Sequence, residues 1–232
     1  MNKLSVIMPA YNEEKTIEQI IEKVMEAGIP GIQKELIVVD DGSTDRTANI
    51  VRRIQSRHAN LYLLSHPENR GKGAAVRTGV DKADGNIIII QDADLEYEPE
   101  DYLTCITPIL EKRAKVVYGS RMLIKDQQRG RFDFFLGGLV VTCVTNILFS
   151  CRLTDEPTCY KTFDADFVKG IQFKGNRFEW EPEITARILK RGEKIIEVPI
   201  HYRPRKKGEG KKINWTDGLM AFWILIKYRF VG

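Results

Sequence analysis

Between residues 86 and 94 the chain reads Asn-Ile-Ile-Ile-Ile-Gln-Asp-Ala-Asp, so two carboxylates follow almost at once on four consecutive isoleucines. A short run that is apolar at every position suits a strand covered on both faces, since each of its side chains enters a core. Such strands belong to parallel sheets sandwiched between helices. Further β-rich runs stand at 4–8, 35–39, 61–64 and 115–118. Between them lie amphipathic segments, for example Ile17, Ile20, Ile21, Val24 and Met25, spaced for one helix face. Alternating β and α patterns predict an α/β fold with a mostly parallel central sheet and helices on both faces. Ligands of such sheets sit beyond the carboxyl ends of the strands, so the residues after each run are the candidate site.

Those residues are polar and distinctive. The five runs are followed in turn by Pro9-Ala10-Tyr11-Asn12-Glu13-Glu14, Asp40-Asp41-Gly42-Ser43-Thr44-Asp45, Asn69-Arg70-Gly71-Lys72-Gly73, Asp92-Ala93-Asp94 and Gly119-Ser120-Arg121. Two carboxylates one residue apart at a strand end can hold a hard divalent cation and leave coordination positions for phosphate oxygens, which suits Mg²⁺ or Mn²⁺. The Asp40–Asp45 motif has two readings: a turn that caps the next helix, or a carboxylate that accepts bonds from a base or ribose. The glycine-containing segment at 69–73 matches neither GxxxxGK[ST] nor GxGxxG, and serves equally as a phosphate cradle or a flexible turn.

The second half is less regular. The pattern predicts a helix at 133–149, a loop at 152–160, a helix near 179–191, a strand near 194–201 and a last helix. With 232 residues and no linker-like stretch, one domain over 1–232 is expected. Within it, 1–121 forms a nucleotide-binding half, 122–213 an acceptor-side half and 214–232 an apolar terminal helix. A net charge of +4 does not argue for nucleic acid, and no aromatic-interleaved RNA-binding motif accompanies the bases at 203–212. That stretch is read as a solvated loop, a phosphate clamp or a headgroup patch. Cys105, Cys143, Cys151 and Cys159 form no CxxC pair, as expected of reduced thiols in a cytosolic protein. No signal peptide or run of ~20 apolar residues is apparent.

Taken in order, the segments SVIMPAYNEEKTI, IVVDDGSTDRT, NRGKGAAVRTG, IIIIQDADLEYEPED, YGSR, LTDEPTCYK, FEWEPEI, EVPIHYRPR and GEGKKINWTDGL resemble the family 2 inverting glycosyltransferases of the GT-A nucleotide-diphospho-sugar fold. Within that family they are most similar to the dolichol-phosphate mannose synthases and the bacterial polyprenyl-phosphate enzymes. The resemblance implies that Pro9, Tyr11 and Glu13 line the nucleotide site and that Val39 and Asp41 meet base or ribose. Lys72 joins the nucleotide-sugar contacts. Asp92, Ala93 and Asp94 would face the diphosphate and its metal, with Glu96 as a further metal ligand. Arg121 would contact phosphate, and Arg205 and Lys211 would close on the pyrophosphate or the acceptor phosphate. Asp94, Arg121, Arg205 and Lys211 are then the catalytic candidates. Glu96 stands where relatives often carry Gln, and Gly210 replaces a frequent Ser.

The expected reaction is inverting transfer of a hexose from a GDP-mannose- or UDP-glucose-type donor to a polyprenyl or dolichyl phosphate. A hydroxyl acceptor would need a carboxylate base, which the acids of 179–183 can supply. A sugar-1-phosphate nucleotidyltransferase would carry a glycine-rich loop after the first strand, and PAYNEE is not one. A non-catalytic membrane-surface module would leave the two aspartate motifs without a purpose. Peripheral attachment at the cytoplasmic membrane face is expected through Phe132, Phe134, Phe135, Leu139 and Val140 beside Arg129 and Arg131. Trp223, Lys227, Tyr228 and Arg229 within 215–230 add to that surface. Thr158, Tyr160 and Lys161 are expected to line the acceptor opening.

Overall fold

The computed structural model describes residues 2–125, 127, 132–204 and 215–231, and side chains throughout these except at 132–134 and 215–217. Arg205 and Lys211, the remainder of the basic stretch to 212, Arg129 and Arg131 lie outside the described residues. So do the side chains of Phe132 and Phe134.

A single seven-stranded sheet runs β3-β2-β1-β4-β6-β5-β7. Its strands are β1 (Lys3–Ala10), β2 (Gln33–Asp40), β3 (Leu61–Ser65), β4 (Ile87–Ile90), β5 (Val116–Ser120), β6 (Lys161–Asp164) and β7 (Ile195–Pro199). All are mutually parallel except β6, which runs antiparallel between β4 and β5. β4 is buried at all four positions, as its unbroken isoleucine run requires. Helices α1 (Ile17–Glu26), α2 (Thr47–Gln55), α3 (Lys72–Lys82) and α4 (Tyr102–Leu110) connect the strands of the first half. The stripe Ile17, Ile20, Ile21 and Val24 is the buried face of α1. α3 is pressed onto β1 at Gly79, where a Cβ would lie 2.3 Å from Ile7 Cγ2.

β6 lies in a stretch that the sequence pattern leaves outside any strand. It is four residues long and is flanked by a charged residue at each end, Lys161 and Asp164, so it carries no period-2 signal; the sheet supplies the partners that make it a strand. Its direction matters for the site. Because β6 is antiparallel, it starts level with the carboxyl ends of its neighbours, Lys161 opposite Tyr118. That places 152–160 at the ligand edge.

α5 (Phe132–Phe149), α7 (Trp180–Lys190) and α8 (Trp215–Phe230) share a second apolar cluster of Val141, Ala186, Ala221, Ile224, Leu225 and Tyr228. The short α6 (Ala165–Lys169) follows β6. Tyr228, expected at an interface with the membrane, is instead only 7% exposed, with the Arg187 guanidinium 4.4 Å from its ring centre. Facing outward on α5 are Leu136, Leu139, Val140 and Ile147, and on α8 Leu219, Met220, Trp223, Ile226 and Phe230. Among the described residues no helix is long and apolar enough to cross a membrane.

Candidate active site

The loops after β1 and β2 are built as one piece. Asn12 adopts φ 50°, a left-handed conformation that Asn tolerates better than most residues. Its N–H donates to Ser43 Oγ at 2.9 Å, and its Oδ1 accepts the Thr44 N–H at 2.8 Å. Asp45 ties this turn together ahead of α2, whose N-cap is Arg46 without a side-chain cap: Oδ1 accepts the Thr47 N–H (2.9 Å), and Oδ2 accepts the Glu14 N–H (3.1 Å). The Thr16 hydroxyl lies 3.0 Å from Glu13 Oε2 and 2.9 Å from the Ala93 carbonyl, so the Glu13 segment is fastened to the Asp92-Ala93-Asp94 turn. Pro9, Tyr11 and Glu13 are all partly exposed at this edge.

Asp41 is turned inward. Oδ1 accepts the Arg70 N–H (3.0 Å) and lies 2.6 Å from His66 Nδ1, while Oδ2 accepts the Gly71 N–H at 2.7 Å. The carboxylate therefore holds the 69–71 segment in place, and the residue is only 2% exposed. Gly71, with φ 97° and no room for a Cβ (Asn176 O at 2.4 Å), lets that segment pass close to the 175–177 loop. The contact with base or ribose that the resemblance implies for Asp41 would therefore come from a carboxylate that also holds the 69–71 segment. Val39 is wholly buried, so any contact from it would come from the backbone. The neighbouring Asp40, to which the resemblance assigns no role, keeps Oδ1 buried without a hydrogen-bond partner at the same strand end.

β4 delivers the Asp92-Ala93-Asp94 turn, with both aspartates partly exposed. Its floor is Gln91, fully buried, whose Oε1 accepts the hydroxyls of Tyr102 (2.6 Å) and Tyr160 (2.7 Å) and whose amide donates to the Asp92 carbonyl (3.1 Å). Asp94 Oδ1 accepts the Glu96 N–H at 3.0 Å, and the Tyr202 hydroxyl lies 3.3 Å from Glu96 Oε2. Among the described residues no three of His, Cys, Asp and Glu converge into a ready-made cation cage. The oxygen donors of Asp92 and Asp94 fit Mg²⁺ or Mn²⁺ in the mode where one or two carboxylates bind and phosphates and water complete the shell.

Lys72, the first residue of α3, links the two halves of the site. Its ammonium is 2.8 Å from Asp92 Oδ1 and 2.9 Å from Glu181 Oε1 on α7. Burial works against the charge, but the two carboxylates outweigh it and hold Lys72 well above its ordinary pKa. The other acids of 179–183 serve the backbone. Glu183 accepts the N–H groups of Lys174 (2.9 Å) and Gly175 (2.6 Å) and binds Arg187, and Glu179 accepts the Asn176 N–H.

Arg121, at the end of β5, is committed to Asp155: Nε donates to Oδ2 at 2.7 Å, Nη2 to Oδ1 at 2.6 Å, and the backbone N–H to Oδ2 at 2.9 Å. Such a fork is rigid and directional. Asp155 lies inside the LTDEPTCYK segment, which the sequence reading singled out without giving that residue a role. Thr158, Tyr160 and Lys161, expected at the acceptor opening, are instead fully buried, because the turn into β6 and the strand's first residue run under the site rather than around its rim.

Residues 5–134 match the family model described as glycosyl transferase family 2. Among curated proteins, the chain is 31% identical to a dolichyl-phosphate beta-glucosyltransferase of Trichomonas vaginalis, over 86% of this chain and 65% of the relative. It is 27% identical to the dolichol-phosphate mannosyltransferase of Pyrococcus furiosus, over 90% of this chain and 59% of that protein. It thus spans less than two thirds of the length of either. Among solved structures, glucosyl-3-phosphoglycerate synthase from Mycobacterium tuberculosis in complex with UDP superposes with a TM-score of 0.75 at 21% identity, covering 100% of this chain and 81% of the synthase. The same synthase in complex with Mn²⁺, UDP-glucose and phosphoglyceric acid gives a TM-score of 0.73 at 20% identity, with the same coverage. The fold is GT-A, and the chain belongs to the family 2 glycosyltransferases.

Proposed function

We propose that this glycosyltransferase moves a hexose, with inversion, from a nucleotide-diphosphate sugar of the GDP-mannose or UDP-glucose type to a polyprenyl phosphate at the cytoplasmic face of a membrane. The observation that carries the acceptor class is the Asp92–Lys72–Glu181 chain. A hydroxyl nucleophile needs a carboxylate to take its proton. Glu181 is paired with Lys72, and Glu179 and Glu183 hold backbone amides. An acceptor that arrives already anionic needs no base. A phosphomonoester, with its second pKa of about 6, meets that requirement near neutrality. The Trichomonas and Pyrococcus relatives bear names that specify dolichyl or dolichol phosphate.

Displacement at the anomeric carbon builds negative charge on the departing diphosphate. Asp92 and Asp94 would hold Mg²⁺ or Mn²⁺, which when bound neutralises that charge. Glu96, whose Oε2 accepts the Tyr202 hydroxyl, would be a further ligand oriented by that bond. Lys72 and Arg121 add fixed positive charge from this chain, where preorganised charge is the largest usual catalytic contribution. Arg205 and Lys211 are proposed for the same diphosphate or the acceptor phosphate. Pro9, Tyr11 and Glu13 would form the nucleotide wall. The outward apolar faces of α5 and α8 would rest on the membrane surface, where the lipid acceptor resides.

The test is a panel of nucleotide sugars with Mg²⁺ or Mn²⁺, offered with a short polyprenyl phosphate and with the matching polyprenol. Transfer to the phosphate alone is expected. Equal transfer to both, or transfer only to a sugar hydroxyl, overturns the acceptor and leaves the family standing.

A further inference from the structure

Lys161 carries an ammonium group at a fully buried position. Removing such a group from water costs several kcal/mol even after relaxation, and an apolar side chain would fill the space without that cost. The fold satisfies the charge in a specific way. Nζ donates to the Glu156 carbonyl at 2.6 Å and to the Thr158 carbonyl at 2.9 Å, and it lies 4.4 Å from the centre of the Tyr118 ring. Both carbonyls belong to the turn that leads into β6, and this turn is tied elsewhere as well. The Thr158 hydroxyl donates to the Gly119 carbonyl at 2.6 Å, and the Glu156 N–H to Thr142 Oγ1 at 3.0 Å. At its start, the N–H groups of Thr154 and Asp155 donate to the Glu197 carboxylate on β7, at 2.7 and 2.9 Å. The same turn carries Asp155, which receives three bonds from Arg121.

We propose that Lys161 is a positioning residue for Arg121: its buried ammonium locks the 154–160 turn, and the turn, through Asp155, aims the guanidinium at the diphosphate. The chain of contacts is Lys161 to the carbonyls of Glu156 and Thr158, the turn to Asp155, and Asp155 to Arg121. Glu197 secures the other end of the turn. An apolar residue at 161 cannot bind two carbonyls pointing at one place, which accounts for a lysine there. The proposal rests on the reading of Arg121 as a phosphate-facing cation.

A double-mutant cycle tests it, with two readouts: the affinity for UDP or GDP in the presence of Mg²⁺, by calorimetry, and kcat/KM for transfer. Lys161→Met should weaken both on the order of tenfold, and Arg121→Gln by at least as much, while the double variant should match Arg121→Gln alone, because residues acting through one another do not add. Lys161→Arg should restore most of the loss. Should Lys161→Met fail to fold, Glu197→Gln replaces it in the same cycle with the same expectation. If the effects of position 161 and Arg121 simply multiply, Lys161 contributes to stability alone and the proposal is overturned. If Lys161→Met leaves both readouts at the wild-type level, it is likewise overturned. If the wild type binds neither nucleotide, the proposed function itself fails. If it binds them and the cycle is multiplicative, only the role of Lys161 fails.

Discussion

Lys72 and Glu181, separated by 109 positions in the chain, meet through an ammonium–carboxylate contact of 2.9 Å, and the same ammonium lies 2.8 Å from Asp92. On the proposed metal site, Lys72 would compete with the divalent cation for Asp92. Lys72→Met should bind Mn²⁺ on the order of tenfold more tightly, because a repelling unit charge a few ångströms away is removed. It should nonetheless transfer sugar far more slowly, having lost a charge that faces the diphosphate. Titration by electron paramagnetic resonance reads the first effect. Weaker Mn²⁺ binding would show that Lys72 is structural.

Asp94 is partly exposed, and its described hydrogen bond closes a local turn. Asp94→Asn keeps that acceptor and loses the charge. Turnover should fall by orders of magnitude while the melting temperature stays within a few degrees of wild type. Near-wild-type turnover in the presence of a chelator would remove the metal from the Asp92-Ala93-Asp94 turn.

The two aspartates that end β2 should separate cleanly. Asp41→Ala leaves the Arg70 and Gly71 amides without their acceptor, a loss of about 3 kcal/mol that corresponds to roughly 6–12 °C in melting temperature. Asp40→Ala removes a carboxylate with an unpartnered buried oxygen. It should cost no stability and weaken UDP or GDP binding instead. Calorimetry of both proteins decides it. The opposite pattern would give the nucleotide contact to Asp41.

How much of this was legible in the chain depends on range. The isoleucines of β4 and the stripe of α1 announce themselves because their burial follows from local periodicity. The Asp92-Ala93-Asp94 turn is legible for the same reason, being contiguous with its strand. Lys161 was misplaced because a lysine is read as a surface residue, and only insertion of β6 between β4 and β5 buries it. The hold of Asp41 on the Arg70 and Gly71 amides is not legible, because nothing local shows that they return to it. The stretch 92–101 holds six acids and no base, the composition of an acidic patch, yet Asp92 meets Lys72, Glu98 meets Lys23 at 2.7 Å, and Asp101 accepts the His201 N–H at 2.6 Å.

The acceptor's own ionisation should govern the acid limb of the rate. Below its second pKa of about 6 a phosphomonoester is mostly the weaker, singly charged nucleophile, so kcat/KM should rise with pH through that value and then level off. The matching polyprenol should show no such limb. A rate that is flat from pH 5 to 8 with the phosphate acceptor would mean that its ionisation does not limit transfer.

The outward faces of α5 and α8 give the last prediction. Trp223, Ile226 and Phe230 lie along one side of α8, at 61, 45 and 74% exposure, and Ile147 on α5 is 72% exposed. Large side chains this accessible on adjacent helices form an apolar surface that water covers at a cost, and such surfaces mark an interface. Two partners fit, a bilayer and a second copy of the chain. Charge favours the bilayer: Lys227 and Arg229 lie on α8 beside the apolar stripe, and each base near an anionic surface contributes about 1 kcal/mol. The protein should therefore co-sediment with phosphatidylserine vesicles, less so with neutral ones, and release as salt rises. Trp223→Glu should abolish sedimentation without changing nucleotide affinity, since Trp223 faces outward on α8, which packs against α5 and α7. Transfer to a detergent-dispersed acceptor should survive in that variant, while transfer to acceptor embedded in vesicles should drop. A protein that ignores vesicles at low salt but dimerises with rising concentration would assign this face to a second copy instead.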